Sequence, residues 1–379
     1  MILELEALTH RYGDELAVDD VSFGLEEGEL VALLGPSGCG KTTIVQAIAG
    51  HVRPTAGRIL LRDRDVAEEP PEARRVGVVF QESTLYPHMT IRENVAYGLA
   101  SRDIEAGRRA ELVTEYLELV ALRDQRDAYP AELSGGQQRR VELARALAPQ
   151  PDVLLLDEPL SALDRALRER LREEIARIQD ETGVTTLFVT HDQEEAMSLA
   201  DRLVVMGDGR IAGDGTPRAL YESPPTPFVA SFLGRSNALP ATVVGREPLT
   251  VALGDREITL PSSDRSLPTG TPVTCHVRPE DLSVRSSDAA GTGGTAPLLS
   301  GNVADVTDVG RRYDLTVRIE TGDELVVEAV DDPPTAGERL AIELPRDRIA
   351  VFDADGCERD RRAVATGVES RPPVVPSDE

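Results

Sequence analysis

The run Leu30–Leu34 is apolar without a break and passes directly into Gly35-Pro36-Ser37-Gly38-Cys39-Gly40-Lys41-Thr42-Thr43, which leads into the apolar stretch 44–50. Five consecutive apolar residues read as a strand covered on both faces, the kind found in parallel sheets. A buried strand, a Gly-rich loop and a helix in that order constrain the chain to an α/β architecture, and the loop matches the P-loop pattern. Its glycines let backbone N–H groups turn inward on phosphate oxygens, and the helix N-terminus adds a favourable dipole. Lys41 and Thr42 are placed to reach the β/γ-phosphates of a nucleotide and its Mg²⁺. Lys41 is the single lysine, arginine supplying the rest of the 41 basic residues. A compact ammonium is kept where a planar guanidinium fork would not fit a phosphate cradle in the same way.

Three further apolar runs, 76–80, 153–156 and 185–189, read as buried strands, each followed at once by a polar residue. In an open parallel sheet the ligand sits beyond the carboxyl ends of the strands, so those following residues should converge. They are Gln81, the pair Asp157-Glu158, and His191. Asp157 at a strand tip can hold the Mg²⁺ shell, Glu158 can polarise an attacking water, Gln81 can touch the metal or the water, and His191 can bond the γ-phosphate. The segment 165–180 puts Leu167, Leu171, Ile175 and Ile178 on one helical face, an ordinary surface helix packed on the sheet. Residues 82–132 carry helical patterning and no strand signal, as in a helical insert taken as far as about residue 140.

Ser134-Gly135-Gly136-Gln137, leading into the helical stretch 138–147, is a second Gly-rich helix start, hence a second anion site in a chain whose P-loop already serves one nucleotide. Its plainer reading is a helix capped by Ser134.

At this point the chain resembles an ABC ATPase, of the importer type with a C-terminal oligonucleotide-binding-like (TOBE) β domain. GPSGCGKTT resembles that family's Walker A, VLLLDEP its Walker B, LSGGQ its signature, Ser161-Ala162-Leu163-Asp164 its D-loop, Gln81 its Q-loop and His191 its switch histidine. Tyr12 sits where the family stacks an aromatic on adenine, in a chain with 3% aromatic residues. The motifs occur in the family's order. The resemblance implies ATP and Mg²⁺ as ligands, with Gly35, Ser37, Gly38, Cys39, Gly40, Lys41, Thr42, Thr43 and Tyr12 at the nucleotide, and Thr42, Gln81 and Asp157 at the metal. Glu158, His191 and Gln81 take the catalytic roles. It also implies a head-to-tail pair of copies in which Ser134, Gly135 and Gly136 of one close on the ATP of the other. A membrane permease is the implied partner, received by the insert near Leu85-Tyr86-Pro87-His88-Met89-Thr90, with an extracytoplasmic binding protein acting through it. The fold expected is an α/β P-loop ATPase domain over 1–232 with its helical insert at about 82–140. A small all-β, barrel-like domain follows over 237–352, and a Pro-rich, charged and disordered tail over 353–379.

Beyond about residue 237 short alternating runs such as 315–319, 325–330 and 340–344 are separated by Gly, Asp and Pro turns, with a Gly/Ser/Thr/Ala-rich loop near 286–295. His276-Val277-Arg278-Pro279-Glu280-Asp281-Leu282 is the clearest piece of TOBE resemblance. Ser236-Asn237-Ala238-Leu239-Pro240 is most similar to the ferric iron, molybdate, sulfate and polyamine branches of the family, the sugar importers being the alternative. A non-transport ABC ATPase usually carries coiled coils or two fused ATPase domains, and this chain has one motif set. A module that binds ATP without hydrolysis is disfavoured by the presence of both Glu158 and His191.

Charge narrows the rest. With 67 Asp+Glu the formal net charge is −26, which argues against nucleic acid as a ligand, since phosphate backbones are held by clustered Lys and Arg. The acidic, lysine-poor composition fits a salt-rich cytoplasm, the plainer alternative being a genomic base composition that favours Arg over Lys. Cys39, Cys275 and Cys357, odd in number and widely spaced, make neither a disulfide framework nor a metal site and suit a reducing compartment. Cys39 in the loop is either a target for thiol reagents or a small residue tolerated there. The start of the chain lacks a basic region followed by an apolar run, and no stretch has the ~20 apolar residues needed to span a bilayer. A peripheral position on the cytoplasmic membrane face, reached through the permease, is therefore expected.

Overall fold

In the computed structural model, which describes residues 1–100, 104–161, 163–261, 267–286, 298–329 and 333–353, the strand Leu30–Leu34 lies inside a six-stranded sheet. Its order is Arg210–Gly215, Arg202–Gly207, Leu30–Leu34, Thr185–Thr190, Val153–Asp157, Val76–Val79. The last five run parallel and only the first pairs antiparallel. The four apolar runs are thus strands. Three of them are buried throughout, while Val76–Val79, at the sheet edge, alternates between buried and half-buried residues. A second, antiparallel sheet orders Glu15–Leu25, Leu3–Tyr12, Ala56–Leu61 and Arg64–Asp65. Residues of both sheets and of the helix Lys41–Ala49 share one core, in which Leu8, Val21, Leu33, Ile44, Ile48, Ile59, Leu155 and Leu187 are fully buried. Each such side chain contributes about 1.5–3 kcal/mol relative to leaving it in water.

The insert is helical, with Ile91–Ala100 and Ala106–Leu119 followed by short 3-10 turns and the helix Gly135–Leu147. Helix Arg165–Thr182 buries Leu171, Ile175 and Ile178, while Leu167 is half-buried because it lies against Gly136. Asp164 caps this helix by accepting the Leu167 N–H at 3.0 Å.

The chain divides into two compact units, Met1–Pro217 and Arg218–Glu379. Residues 218–232, read on sequence with the ATPase domain, lie in the second unit, where buried Arg278 donates to Ala230 O (2.8 Å), Arg235 O (3.0 Å) and Tyr221 O (3.2 Å). Among its described residues the second unit is otherwise β, apart from the short 3-10 turns Pro279–Asp281 and Arg346–Arg348. One antiparallel sheet orders Arg256–Thr259, Leu249–Leu253, Asn237–Arg246, Pro272–Val277 and Ala350–Asp353. The other orders Ser283–Ser286, Arg339–Glu343, Leu298–Asp308, Tyr313–Ile319 and Glu324–Ala329. The Asn237 amide joins them, donating to Val326 O (2.8 Å) and accepting from Val326 N (2.7 Å). Of the expected disordered tail 353–379, Asp353 instead ends the strand Ala350–Asp353, while residues 354–379 with Cys357, the Gly/Ser-rich loop beyond Ser286 and Ala162 fall outside the described residues.

Candidate active site

Because the five parallel strands end on one edge, the residues after them share that edge: Gly35, Gln81, Glu158 and His191. The loop is built around Gly40, whose φ of 102° only glycine adopts without strain and whose added Cβ would stand 2.4 Å from Ala17 O. Gly40 caps the helix Lys41–Ala49, so the first amides of that helix point into the loop. Gly35 has no room for a side chain either, a Cβ there lying 2.6 Å from Met206 O and 2.7 Å from Cys39 Sγ. Lys41 is buried and its Nζ donates to Gly35 O (2.8 Å) and Pro36 O (3.0 Å). Ser37, Gly38 and Thr42 are exposed. Cys39 and Thr43 are buried, so the Cys39 thiol faces the core and leaves only its backbone to a ligand. Burial also pushes that thiol's pKa up, which lowers its reactivity. Of the two readings of Cys39 the structure therefore favours a tolerated small residue.

Tyr12 is half exposed at the end of Leu3–Tyr12, its ring edge-on to His10 at 4.5 Å and its hydroxyl 3.3 Å from Gln46 Oε1 on the loop's helix. An exposed aromatic face beside the phosphate loop can stack a base.

Asp157 ends its strand 5% exposed, and its Oδ1 has no hydrogen-bond partner among the described residues. Burial, then the neighbouring Glu158 carboxylate, raises its pKa to about 6 against the pull of Lys41 and Arg139. An orphaned buried carboxylate oxygen within the field of the P-loop lysine is a hard oxygen donor suited to Mg²⁺. Glu158 holds a φ of 45°, a left-handed conformation costing on the order of 1–3 kcal/mol. Its amide donates to Val189 O (2.9 Å), and its carbonyl accepts from Ser161 N (3.3 Å) and Ser161 Oγ (3.0 Å), which hold the turn. The strained turn sets the Glu158 Oε1 3.2 Å from His191 Nδ1. His191 thus touches the carboxylate, an arrangement that can fix the orientation of a general base. Gln81 is exposed, its backbone carbonyl accepting from Arg139 Nη2 at 3.3 Å.

Ser134 directs its polar atoms into its own helix. Its Oγ accepts from Gln137 N (3.3 Å), and its amide donates to Gln137 Oε1 (2.9 Å). The cap reading of Ser134 is therefore correct as local structure, and it leaves the helix start open: a Cβ on Gly135 would meet nothing within 4 Å. Gly136 is packed the other way, a Cβ there lying 2.7 Å from Leu167 Cδ1.

Two residues outside the sequence reading shape the neighbourhood. Asn94, fully buried, accepts from Tyr86 N (2.8 Å) and donates to the Tyr86, Met89 and Thr90 carbonyls (3.1, 3.2 and 3.1 Å), moulding the Leu85-to-Thr90 segment. Arg139, also buried, reaches the chain just beyond the edge strand Val76–Val79 and its neighbour Val153–Asp157. Neither carries a motif, and only their burial marks them.

Residues 18–161 match the family described as ABC transporter, and residues 275–352 that described as TOBE domain. The chain is similar to the sulfate/thiosulfate import ATP-binding protein of Chromobacterium violaceum, 44% identical over 93% of this chain and 96% of that one. It is also similar to the spermidine/putrescine import ATP-binding protein of Acidothermus cellulolyticus, 44% identical over 89% and 87%. The Fe(3+) ions import ATP-binding protein of Rhizobium etli is 42% identical over 88% and 93%. Among solved structures, cbiO1 from Clostridium perfringens, described as part of the ABC transporter complex cbiONQ, superposes with a TM-score of 0.54 at 28% identity, covering 58% of this chain and 90% of that one.

Proposed function

The chain belongs to the ABC transporter family as an import-type, nucleotide-binding ATPase subunit, and on that premise we propose that two copies share ATP head to tail and drive the uptake of an inorganic ion or a polyamine. The substrate class rests on the sulfate, polyamine and ferric-iron importers among its relatives. The observation carrying the catalytic reading is the turn after Val153–Asp157, where strained Glu158 meets His191 at 3.2 Å beside the orphaned Asp157 oxygen.

In this reading Lys41 and the loop amides of Gly38 to Thr43 bind the phosphate oxygens, and Tyr12 stacks on the base. Thr42, Asp157 and Gln81 would hold Mg²⁺, which when bound neutralises charge developing on the phosphoryl oxygens. Glu158 accepts the proton of the water that attacks the γ-phosphorus, and His191 keeps the carboxylate aimed. Ser134, Gly135 and Gly136 of the second copy close on the same nucleotide, using the open helix start at Gly135.

The permease is received at the insert, where Tyr86 packs against exposed Tyr97, the rings tilted with centroids 4.5 Å apart, and the segment after Gln81 is held in shape by Asn94. No helix among the described residues is long and apolar enough to cross a membrane. A peripheral place on the cytoplasmic face follows from that partner. The ATPase core is read as residues 1–217, and residues 218–232, grouped with it on sequence, go with the unit that holds the β domain 237–352.

The test is steady-state ATPase activity of the full chain in high salt with Mg²⁺, wild type beside Glu158→Gln, with sizing in ATP. We expect the variant to lose about 10²–10⁴ in kcat, the usual worth of a general base, and to accumulate as an ATP-bound dimer. A variant that turns over like wild type removes Glu158 from the chemistry, and a variant that stays monomeric in ATP removes the shared site.

A further inference from the structure

The helix Gly135–Leu147 carries Arg139 and Glu142 one turn apart, both buried, at 8% and 2% exposure. A buried guanidinium needs acceptors around its whole fork. Arg139 finds most of them outside its own helix. Its Nε donates to Pro159 O (2.8 Å), Nη2 to Gln81 O (3.3 Å), and Nη1 to both Phe80 O and Glu142 Oε2, the latter at 2.8 Å. The other Glu142 oxygen accepts the Thr84 N–H at 2.7 Å. One turn on, Arg145 donates to Thr84 O (2.8 Å) and to Thr84 Oγ1.

These bonds lie where the sheet stops holding the chain. The parallel strands Val76–Val79 and Val153–Asp157 are paired as far as Val79 and Leu156. Beyond that pair no ladder bond joins the two strands, and the Arg139 fork links Phe80 and Gln81 to Pro159. Pro159, the residue after Glu158, has no N–H of its own to anchor the turn.

We infer that Arg139, oriented by Glu142, is a positioning residue for ATP hydrolysis, fixing the backbone beside Gln81 and Glu158 relative to the helix that begins at Ser134. The inference rests on the catalytic reading above and deepens it. Misplacing a reacting group by about 1 Å can cost on the order of 10²-fold in rate. A buried ion pair of purely structural purpose behaves differently, since well-packed apolar residues of similar volume often replace it without loss of stability.

The experiment uses the full chain as wild type, Arg139→Lys, Arg139→Met, and Arg139→Met combined with Glu142→Leu. It reads kcat and KM for ATP, the thermal midpoint, and amide hydrogen exchange over residues 80–84 and 158–161. The double variant is expected to recover the midpoint lost by Arg139→Met. Its kcat should stay about tenfold or more below wild type with KM within about twofold, because the P-loop is untouched. Exchange at Thr84 should be about tenfold faster, its acceptor having gone. Arg139→Lys, with its charge kept but its fork lost, should fall between wild type and Arg139→Met in kcat.

Wild-type kcat in the folded double variant overturns the inference, as does unchanged exchange over residues 80–84. If the double variant does not fold, wild-type kcat in Arg139→Lys overturns it instead. If the wild-type chain itself does not hydrolyse ATP, the catalytic reading falls, and exchange over residues 80–81 and 158–161 in Arg139→Met, where Glu142 still holds the Thr84 N–H, decides whether Arg139 positions these segments.

Discussion

His276 opens the stretch that most resembles a TOBE domain, and its burial makes the second unit sensitive to acid. It is 5% exposed, with Nδ1 3.1 Å from Ser236 Oγ and its ring edge-on to Phe352 at 5.2 Å. Burial, and then Arg278, hold its pKa below the ordinary 6.5 of the imidazole. Below that value the unfolded chain therefore binds a proton more readily than the folded one, and stability must fall as the pH drops through the interval beneath 6.5. Melting of wild type and His276→Gln between about pH 5 and pH 8 checks this, the variant being expected to lose less stability on acidification. Parallel pH profiles would assign the acid sensitivity elsewhere. Among the site residues, Gly40 and Lys41 are legible from sequence because what the loop demands of them is local: a positive φ that glycine tolerates, and a compact cation one residue later. Arg139 is not, because one arginine among many is distinguished only by tertiary burial. Cys39 is half legible, its place in the loop being evident but its side chain's turn towards the core being a matter of packing.

At the scale of elements, the sequence favours strands that are buried on both faces. Leu30–Leu34, Val153–Asp157 and Thr185–Thr190 read as continuous apolar runs and appear within a residue or two of where they were placed. The sheet of Leu3–Tyr12 and Glu15–Leu25 did not announce itself. Its strands alternate buried with exposed residues, interrupt the pattern with Glu, Asp and Arg, and slip register at several points. The link between the two sheets of the β unit was equally hidden, because it is a side chain acting as backbone: the Asn237 amide completes a two-way pairing with Val326 across the sheets. Asn237→Ala would leave that half-buried N–H and C=O without their partner, at about 1 kcal/mol for each hydrogen bond lost. The expected outcome is a lower denaturation midpoint for the second unit with ATP hydrolysis by the first unchanged. Unaltered stability would mean water or a shifted backbone replaces the amide.

For the whole molecule the dominant quantity is the formal charge of −26, carried with arginine in place of lysine. Many of those arginines stand in exposed pairs such as Arg165 with Glu169 and Arg177 with Glu181, each worth only about 0–1 kcal/mol and weakened by salt. Unbalanced acidic residues push the other way, their mutual repulsion being relieved as salt shortens the Debye length from about 10 Å at 0.1 M to about 3 Å at 1 M. With charge so far from neutrality repulsion should win, and the thermal midpoint should rise with potassium chloride. The shape of the rise identifies its cause. Screening is nearly complete by about 1 M, so a gain that saturates there reports relief of repulsion. A gain that continues linearly to several molar reports exclusion of salt from the protein surface instead, an effect any acidic or neutral protein shows. A midpoint that stays flat, or falls because the surface ion pairs dominate, would mean the composition reflects something other than adaptation to salt.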